Sequence, residues 1–327
     1  MEKIFLTGVT GFAGSHLAER LQSQGYKLKV LIRAHHDIKN WQHKGYQVVV
    51  GDLAEDNWID ETLEDVDAVI NIAAVYRQAG IPDSRYWEVN YQGTKNLALA
   101  SLRHRIKKFI HCSTVGVLGH ISNPPADETA PYNPGDIYQV TKCEAEKLVL
   151  KYHREKNLPL VVIRPAAIYG PGDRRLLKIF SWTARRRFVM LGDGKTLYHM
   201  VYVDDLANGF QLALEKEEAV GEIFIIAGEE TVSLNKLMEM IAEELKVPPP
   251  RLHFPYAPVY ALAYLVEKIC IPLRIEPPIY RRRIEFFIKD RAFKIDKARS
   301  LLGYQPKYSL EKGIHLTAQW YRDKGWL

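Results

Sequence analysis

Short apolar runs alternate with helix-length amphipathic stretches along the first half of the chain, over residues 4–163. The runs at 47–50, 68–72 and 160–163 are almost entirely apolar, which is typical of strands buried on both faces. Alternation of such strands with helices predicts a parallel sheet covered on both sides. The sequence therefore predicts an α/β fold with a doubly wound parallel sheet, whose strand order periodicity alone does not fix.

A glycine-rich turn lies between the first predicted strand and the first predicted helix. Glycines at this point allow a tight turn and a close approach of a ligand to the backbone. The helix that follows offers unpaired N–H groups and the positive end of its dipole, which suit a pyrophosphate. This context predicts a dinucleotide site, with a tight turn that binds nothing as the alternative. The turn contributes Gly8, Thr10, Gly11, Phe12, Ala13 and Gly14 to the predicted site.

The glycine spacing, GxxGxxG, and five later motifs resemble the extended branch of the short-chain dehydrogenase/reductase superfamily. The later motifs are Gly51-Asp52-Leu53, Asn71-Ile72-Ala73-Ala74, residues 90–96, residues 164–173 and residues 202–206. The resemblance implies a Rossmann fold in which Asp52 approaches the adenine. It also implies cofactor contacts from Asp52, Leu53, Ala73, Ala74, Asn90, Ser113, Pro165 and Ile168.

The end of the second predicted strand bears on the choice of cofactor. A carboxylate there binds the ribose 2′-hydroxyl of NAD, whereas an arginine accommodates the 2′-phosphate of NADP. Ile32 stands where relatives of the NAD type carry the acid, and Arg33 follows it. We therefore predict NADP as the preferred cofactor, with NAD as the alternative if Arg33 only stacks on adenine.

Tyr138 and Lys142 lie near the start of a predicted helix, 137–156, and their i, i+4 spacing puts them on one face. An ammonium beside a phenol favours the phenolate, lowering a pKa that is otherwise about 10. Tyr138 can then serve as an acid or base for a substrate oxygen. In the family that the chain resembles, a Ser or Thr after the strand ending at Cys112 holds that oxygen. We assign Thr114 to this role, with Ser113 as its neighbour and a simple strand-end cap as the alternative.

The resemblance implies hydride transfer between the nicotinamide and a carbinol carbon, with Lys142 also binding the nicotinamide ribose. The predicted function is an NAD(P)-dependent oxidoreductase that interconverts a secondary alcohol and a ketone. The alternative is a nucleotide-sugar epimerase or dehydratase with tightly held NAD. Ala167 and Tyr198 disfavour this alternative, because many such enzymes place diphosphate contacts in these two segments. A non-catalytic dinucleotide-binding protein is a remote third hypothesis.

The pattern changes after Gly170, which indicates a second, smaller lobe. We expect residues 1–170 to bind the cofactor, with 195–230 returning to that domain, and residues 171–194 and 231–327 to form a substrate lobe. A basic amphipathic helix is predicted over 174–188 in this lobe. The arginine runs 185–187 and 281–283 are typical of solvated faces. As the alternative, Arg174, Arg185 or Arg281 contacts a substrate diphosphate.

We expect the binding partner to be a small-molecule substrate. By the family resemblance, we also expect a homodimer that forms through the predicted helices 85–104 and 137–156. The chain has 45 Lys+Arg against 39 Asp+Glu, without the concentrated basic stripe that nucleic-acid binding requires. The three cysteines have no paired or metal-type spacing, which predicts reduced thiols and no metal site. Reduced thiols and the lack of a signal peptide in the sequence predict a cytoplasmic location.

The apolar run 254–266 contains two prolines and is shorter than the roughly 20 residues that cross a bilayer, so we do not expect it to span a membrane. A membrane-surface contact there is a disfavoured alternative.

Overall fold

The computed structural model describes residues 1–76, 80–270, 273, 275 and 277–327. The strands are β1 (Lys3–Thr7), β2 (Lys27–Ile32), β3 (Gln47–Val50), β4 (Ala68–Asn71), β5 (Lys108–Cys112), β6 (Leu160–Pro165), β7 (Ala167–Tyr169), β8 (Met190–Leu191), β9 (Leu197–Tyr202), β10 (Ile223–Ile226), β11 (Thr231–Ser233) and β12 (His253–Phe254). The α-helices are α1 (Phe12–Ser23), α2 (Ile38–His43), α3 (Ile59–Leu63), α4 (Asp83–Tyr86), α5 (Gly93–Arg103), α6 (Ile137–Lys156), α7 (Leu177–Ala184), α8 (Val203–Glu215), α9 (Leu234–Glu244), α10 (Tyr256–Cys270), α11 (Arg281–Ile288) and α12 (Leu310–Asp323).

Seven parallel strands form the central sheet, in the order β3-β2-β1-β4-β5-β6-β10. Side chains of β1 alternate between its faces, so Ile4 and Leu6 join one apolar core while Phe5 joins the other. Helices α1 and α8 contribute to the first core, and α3, α5 and α6 contribute to the second. The predicted α/β fold with a doubly wound parallel sheet is confirmed.

The winding direction reverses between β1 and β4, because β2 and β3 extend from one side of β1 and the later strands from the other. In doubly wound sheets a ligand crevice forms at the carboxyl ends of the strands at such a reversal. Gly8 directly follows β1, and Ala73 lies two residues beyond β4. The glycine-rich turn therefore lies at the point where this architecture opens a crevice.

A smaller lobe contains the three-stranded sheet β11-β9-β7 and the β8-β12 pair. Its core draws on α7, α9 and α12, with Phe180, Met238 and Ile314 among the buried side chains. Residues 195–230 contribute to both lobes, because β9 belongs to the small sheet whereas β10 pairs with β6. Helix α8 packs on α1, and Arg20 donates from its guanidinium to the Gln211 side chain at 2.7 Å.

One predicted helix is shorter in the structure than the sequence suggests. The predicted helix 174–188 is only α7, because Asp173 accepts the Arg175 N–H at 2.9 Å in a turn before it and Arg186 adopts a left-handed φ of 56° after it.

Within the described part of the chain, no helix has both the length and the apolar character needed to cross a bilayer.

Candidate active site

Two adjoining cavities of about 410 and 360 Å³ open at the carboxyl ends of the central strands. They share Gly11, Ala74 and Tyr76 in their lining and form one cleft. The larger cavity contacts the predicted residues Gly11, Phe12, Ala13, Gly14, Ala74, Ser113, Thr114, Tyr138, Pro165 and Ile168. The smaller cavity contacts the predicted residues Gly8, Thr10, Gly11, Arg33, Asp52, Leu53, Ala73 and Ala74. The remaining predicted residues, Lys142 and Asn90, lie behind this lining.

The glycine-rich turn is packed too closely for side chains. A Cβ on Gly8, whose φ is +77°, would lie 2.7 Å from the Ala73 backbone nitrogen, and one on Gly14 would lie 2.0 Å from the Gly8 oxygen. Helix α1 begins after Gly11, which supplies no side-chain cap, and its first turn contains no acidic residue. The helix N-terminus thus combines a bare backbone with a positive dipole end, which fits a phosphate group.

Tyr138 lies in the first turn of α6. Asp136 caps this helix, because its side chain accepts the Gln139 backbone N–H at 2.9 Å. Its ring meets the Tyr76 ring edge-on, with centroids 4.8 Å apart. One turn later Lys142 is 1% exposed, and no described residue forms a hydrogen bond with its Nζ. Burial lowers the pKa of Lys142, while Cys112 and Glu146 oppose that shift.

A buried ammonium without a partner calls for a ligand that supplies acceptors. The hydroxyl of Ser113 is also buried and, within the described residues, lacks a hydrogen-bond partner. Together with the glycine cradle, these two groups fit a dinucleotide whose ribose and carboxamide offer such partners. The described residues contain no group of three or more His, Cys, Asp or Glu arranged to hold a metal ion.

Thr114 both caps a helix and lines the cleft. Its hydroxyl oxygen accepts the Gly116 N–H at 3.0 Å at the start of a short 3₁₀ helix, Val115–Leu118. That bond uses one lone pair of the hydroxyl and leaves the O–H as a donor. The strand-end cap and an oxygen-orienting role are therefore compatible.

The side chain of Asn90 binds protein and does not open onto the cleft. It lies fully buried in a π-helical segment, Trp87–Gln92. Its amide accepts the Val75 N–H at 2.8 Å and donates to the Val75 carbonyl and to Thr141, each at 3.1 Å. Asn90 thus ties the loop after β4 to α6, which makes it a positioning residue.

The smaller cavity is bordered by a carboxylate that is already paired. Asp52 accepts from the Arg85 guanidinium and, at 2.9 Å, from the Ala54 N–H. Arg33 is exposed at the rim of this cavity, and His36 lies beside it. The backbone N–H of His36 donates to the Arg33 carbonyl at 3.0 Å. Burial, together with the charges of His35 and Arg33, lowers the pKa of His36. Sequence reasoning missed Arg85, which no local motif marks.

The larger cavity also contains two arginines that sequence reasoning missed, Arg175 and Arg291. Arg175 donates from Nε to the buried Asp173 at 2.8 Å, and its guanidinium lies 5.7 Å from the centre of the Tyr76 ring. Arg291 reaches the cavity because its N–H bonds to the Leu197 carbonyl at 2.9 Å, beside β9. No local motif marks this second approach, since it joins segments almost a hundred residues apart.

The three arginines considered as contacts for a substrate diphosphate lie outside the cleft lining. Arg174 stacks over Trp326 at 5.0 Å. Arg281 pairs with Glu267, and Arg185 is exposed after α7. Arg174 and Arg175 are neighbours in the chain, so only the turn made by Asp173 decides which of them faces the cleft.

His199 lines the larger cavity but is held by protein on both sides. Its Nε2 bonds to the Gly228 carbonyl at 2.9 Å, and its Nδ1 accepts the Phe293 N–H at 3.4 Å. Burial lowers its pKa, although both backbone hydrogen bonds oppose that shift. His199 is therefore neutral, and its two hydrogen bonds fix it in the cavity wall.

Comparison with known proteins shows which enzymes this chain is similar to. Residues 4–227 match the sequence profile of the NAD dependent epimerase/dehydratase family. A sterol-4-alpha-carboxylate 3-dehydrogenase, decarboxylating, of Candida albicans is 27% identical over 99% of this chain and 98% of its own. An N-acetyl-alpha-D-glucosaminyl-diphospho-ditrans,octacis-undecaprenol 4-epimerase of Escherichia coli O157:H7 is 25% identical over 98% of this chain and 95% of its own. The crystal structure of gox2253 has a TM-score of 0.85 at 32% identity and covers 100% of both chains.

Proposed function

Because the chain belongs to the NAD dependent epimerase/dehydratase family, we propose that it is a nicotinamide-dependent oxidoreductase that interconverts a secondary alcohol and a ketone. The observation that carries this proposal is the meeting of Thr114 and Tyr138 with the glycine-rich turn in one cleft. Lys142 stands one helical turn behind Tyr138 on α6. An acid/base pair at the mouth of a dinucleotide cradle is the arrangement that alcohol oxidation requires.

The protein's own groups position the substrate and manage its proton. A bound nicotinamide supplies the hydride chemistry. In the oxidation direction the Tyr138 phenolate, stabilised by the nearby Lys142 ammonium, takes the proton of the substrate alcohol. In the reduction direction the Tyr138 hydroxyl donates its proton to the carbonyl oxygen and becomes the phenolate. Thr114 orients the substrate oxygen, while Pro165 and Ile168 provide an apolar wall that limits water.

The test of the proposal is net redox change. An oxidoreductase releases its cofactor after each turnover, whereas an epimerase returns the hydride to the same substrate. We expect a stoichiometric change in the near-ultraviolet absorbance of added cofactor when a carboxylated or lipophilic secondary alcohol is converted. Conversion of a nucleotide sugar to its epimer, with no net cofactor change and with cofactor retained through gel filtration, would contradict it.

We include NADP preference in the proposal. The rim of the smaller cavity carries Arg33 and Arg85, and the carboxylate there, Asp52, is already paired with Arg85. The position that would hold a ribose-binding acid is the buried Ile32. A phosphate at the ribose 2′ position would therefore meet cationic charge rather than a free carboxylate.

Replacing Arg33 by Asp should shift the ratio of kcat/KM values for NADPH and NADH toward NADH by roughly tenfold or more, since one charge-assisted bond is lost and an acceptor is gained. Steady-state kinetics with both cofactors measures this ratio. Arg33→Gln serves as the graded control, because it removes the phosphate partner without adding an acceptor and should weaken NADPH alone. An unchanged ratio in both variants would remove Arg33 as the determinant.

The second candidate function, a nucleotide-sugar epimerase, is supported by Arg175 and Arg291 in the larger cavity. Two cations facing a substrate cavity suit an anionic group, which a nucleotide sugar supplies as a diphosphate. A carboxylated alcohol supplies a single carboxylate. The Escherichia coli relative acts on a diphospho-linked sugar by its name, and the Candida albicans relative on a carboxylated sterol.

Arg175→Gln should raise KM for an anionic substrate about tenfold, with a smaller effect on kcat, because a charge-assisted bond to the substrate is lost. Arg174→Gln is the matched control, since Arg174 carries the same charge one residue away but stacks on Trp326. Steady-state kinetics on both variants gives the comparison. Equal KM values would show that Arg175 does not contact the substrate.

We further propose that the small lobe binds the substrate and that the protein is a homodimer through the outward faces of α5 and α6. Trp87 is exposed just before α5 and lies at the start of this surface. Analytical ultracentrifugation of wild type and of Trp87→Glu tests the interface.

We also propose a cytoplasmic location. The cysteines Cys112, Cys143 and Cys270 are unpaired, which supports a reducing compartment.

A further inference from the structure

Helix α10 of the small lobe presents an apolar face outward. Leu262, Leu265 and Ile269 are 56, 57 and 63% exposed, and they lie on one side of the helix at i, i+3 and i+7. The inward side contains Ala263 and Glu267, which are buried. This is the reverse of the usual pattern for a surface helix, in which charged residues face the solvent.

The apolar area continues beyond α10. Leu252 and Phe254, just before the helix, are 69 and 52% exposed. The Met190 N–H donates to the Leu252 carbonyl at 3.0 Å, and this pairing places the exposed Val189 beside the same surface. We call this area, from Val189 and Leu252 to Ile269, the α10 patch.

Positive charge borders the α10 patch, and acidic charge is nearly absent from it. Residues 178–192 contain four Lys or Arg and no Asp or Glu. Residues 185–187, all arginine and all exposed, lead directly into β8 at the edge of the patch. Arg251 and Lys268 are exposed on the other segment. The one acid of residues 251–270, Glu267, is neutralised by hydrogen bonds from the Arg281 N–H at 2.7 Å and from its Nε at 2.6 Å.

We propose that the α10 patch binds the surface of an anionic lipid bilayer. Apolar side chains enter the boundary between headgroups and acyl chains, while the bordering cations meet anionic headgroups. A second copy of the chain fits less well, because a two-fold interface would bring two copies of the same cationic border into one contact with few acids to pair them. The charge around the patch therefore selects an anionic lipid surface over self-association.

Helix α11 stands between α10 and the cavity that binds the substrate under the proposed function, although the lipid proposal rests on neither cofactor nor reaction. Helix α10 packs on α11, and Phe286 of α11 lines the larger cavity. Docking on a bilayer would bring this side of the cleft close to the lipid. A substrate with an apolar body could then reach the cleft from the bilayer.

Vesicle flotation of the full chain tests the proposal. We expect binding to vesicles of two parts phosphatidylcholine and one part phosphatidylglycerol, and weaker binding to phosphatidylcholine alone. Leu265→Glu combined with Ile269→Glu should lower the fraction bound about tenfold or more, since both side chains are exposed and would otherwise enter the lipid. Arg185→Gln and Arg187→Gln should each lower binding to the anionic vesicles about fivefold.

Leu301→Glu is the matched control, because Leu301 is 38% exposed outside the patch and should leave vesicle binding unchanged. Unchanged melting temperature and cofactor binding show that each variant is folded. Absent binding by wild type, or equal binding by the Leu265→Glu/Ile269→Glu variant, would overturn the proposal. So would a wild-type oligomer that this variant dissociates in ultracentrifugation, since a second copy would then occupy the patch.

Discussion

Replacing Tyr138 by Phe should lower kcat by about 10²–10⁴-fold, the usual contribution of a general acid or base. The ring keeps its place against Tyr76, with the centroids 4.8 Å apart, and only the hydroxyl that moves the proton is lost. Cofactor affinity should therefore stay close to the wild-type value. Steady-state kinetics and a cofactor fluorescence titration measure the two quantities separately.

The matched control is Tyr152→Phe, which makes the same change on the same helix. Tyr152 is buried near the C-terminal end of α6, in the apolar core shared with α3 and α5, and lines neither cavity of the cleft. We expect its kcat to resemble that of wild type. A Tyr138→Phe enzyme with near-normal turnover would exclude Tyr138 as the proton-transfer group, whatever the substrate proves to be.

The second large effect concerns stability and the buried ion pair between Glu146 and Arg164. Both side chains are at most 1% exposed, and Arg164 Nη2 lies 2.6 Å from Glu146 Oε1. The Tyr132 hydroxyl donates to the same oxygen at 2.7 Å. Arg164 also donates to the Glu128 carbonyl at 2.9 Å, so the pair joins α6, β6 and the segment that precedes α6.

Glu146→Gln should lower the free energy of unfolding by about 3–5 kcal/mol, because it leaves the Arg164 charge buried without a counter-charge. Denaturant unfolding measures this loss. Glu144→Gln is the control on the same helix, since its pair with Lys147 is exposed and should contribute only about 0.2–1 kcal/mol. Similar losses in the two variants would show that burial does not set the strength of the Glu146 pair.

Local patterns in the sequence were enough for the sheet and for much of the cleft. Unbroken apolar runs predict strands, and the run 47–50 is a strand with the same bounds in the structure. Its burial could not be predicted locally, because β3 is the edge strand and is only partly covered. The glycine-rich turn and the Tyr138–Lys142 pair are also local, because each depends on residues within one turn or one helix. Such features follow from sterics and helical spacing, which a short segment specifies by itself.

Features that depend on contacts between distant segments could not be predicted in this way. Asn90 carries the family motif, yet its amide is used by Val75 and Thr141, so its role depends on how two elements pack. Helix 174–188 was predicted from amphipathic spacing, but a side-chain turn at Asp173 delays its start.

The sequence by itself determined the sheet, the glycine-rich turn and the placing of Tyr138 and Lys142 on one helix face, since their causes are backbone sterics and spacing along one segment. Only the tertiary structure decided which charges face the cleft. It placed Arg175 in the cleft and Arg174 against Trp326, and it brought Arg291 to the same cavity through a contact with the β9 segment. Arginine occurs throughout this chain, and the physical distinction between a solvated and a cleft-facing guanidinium arises only when segments far apart in sequence pack together.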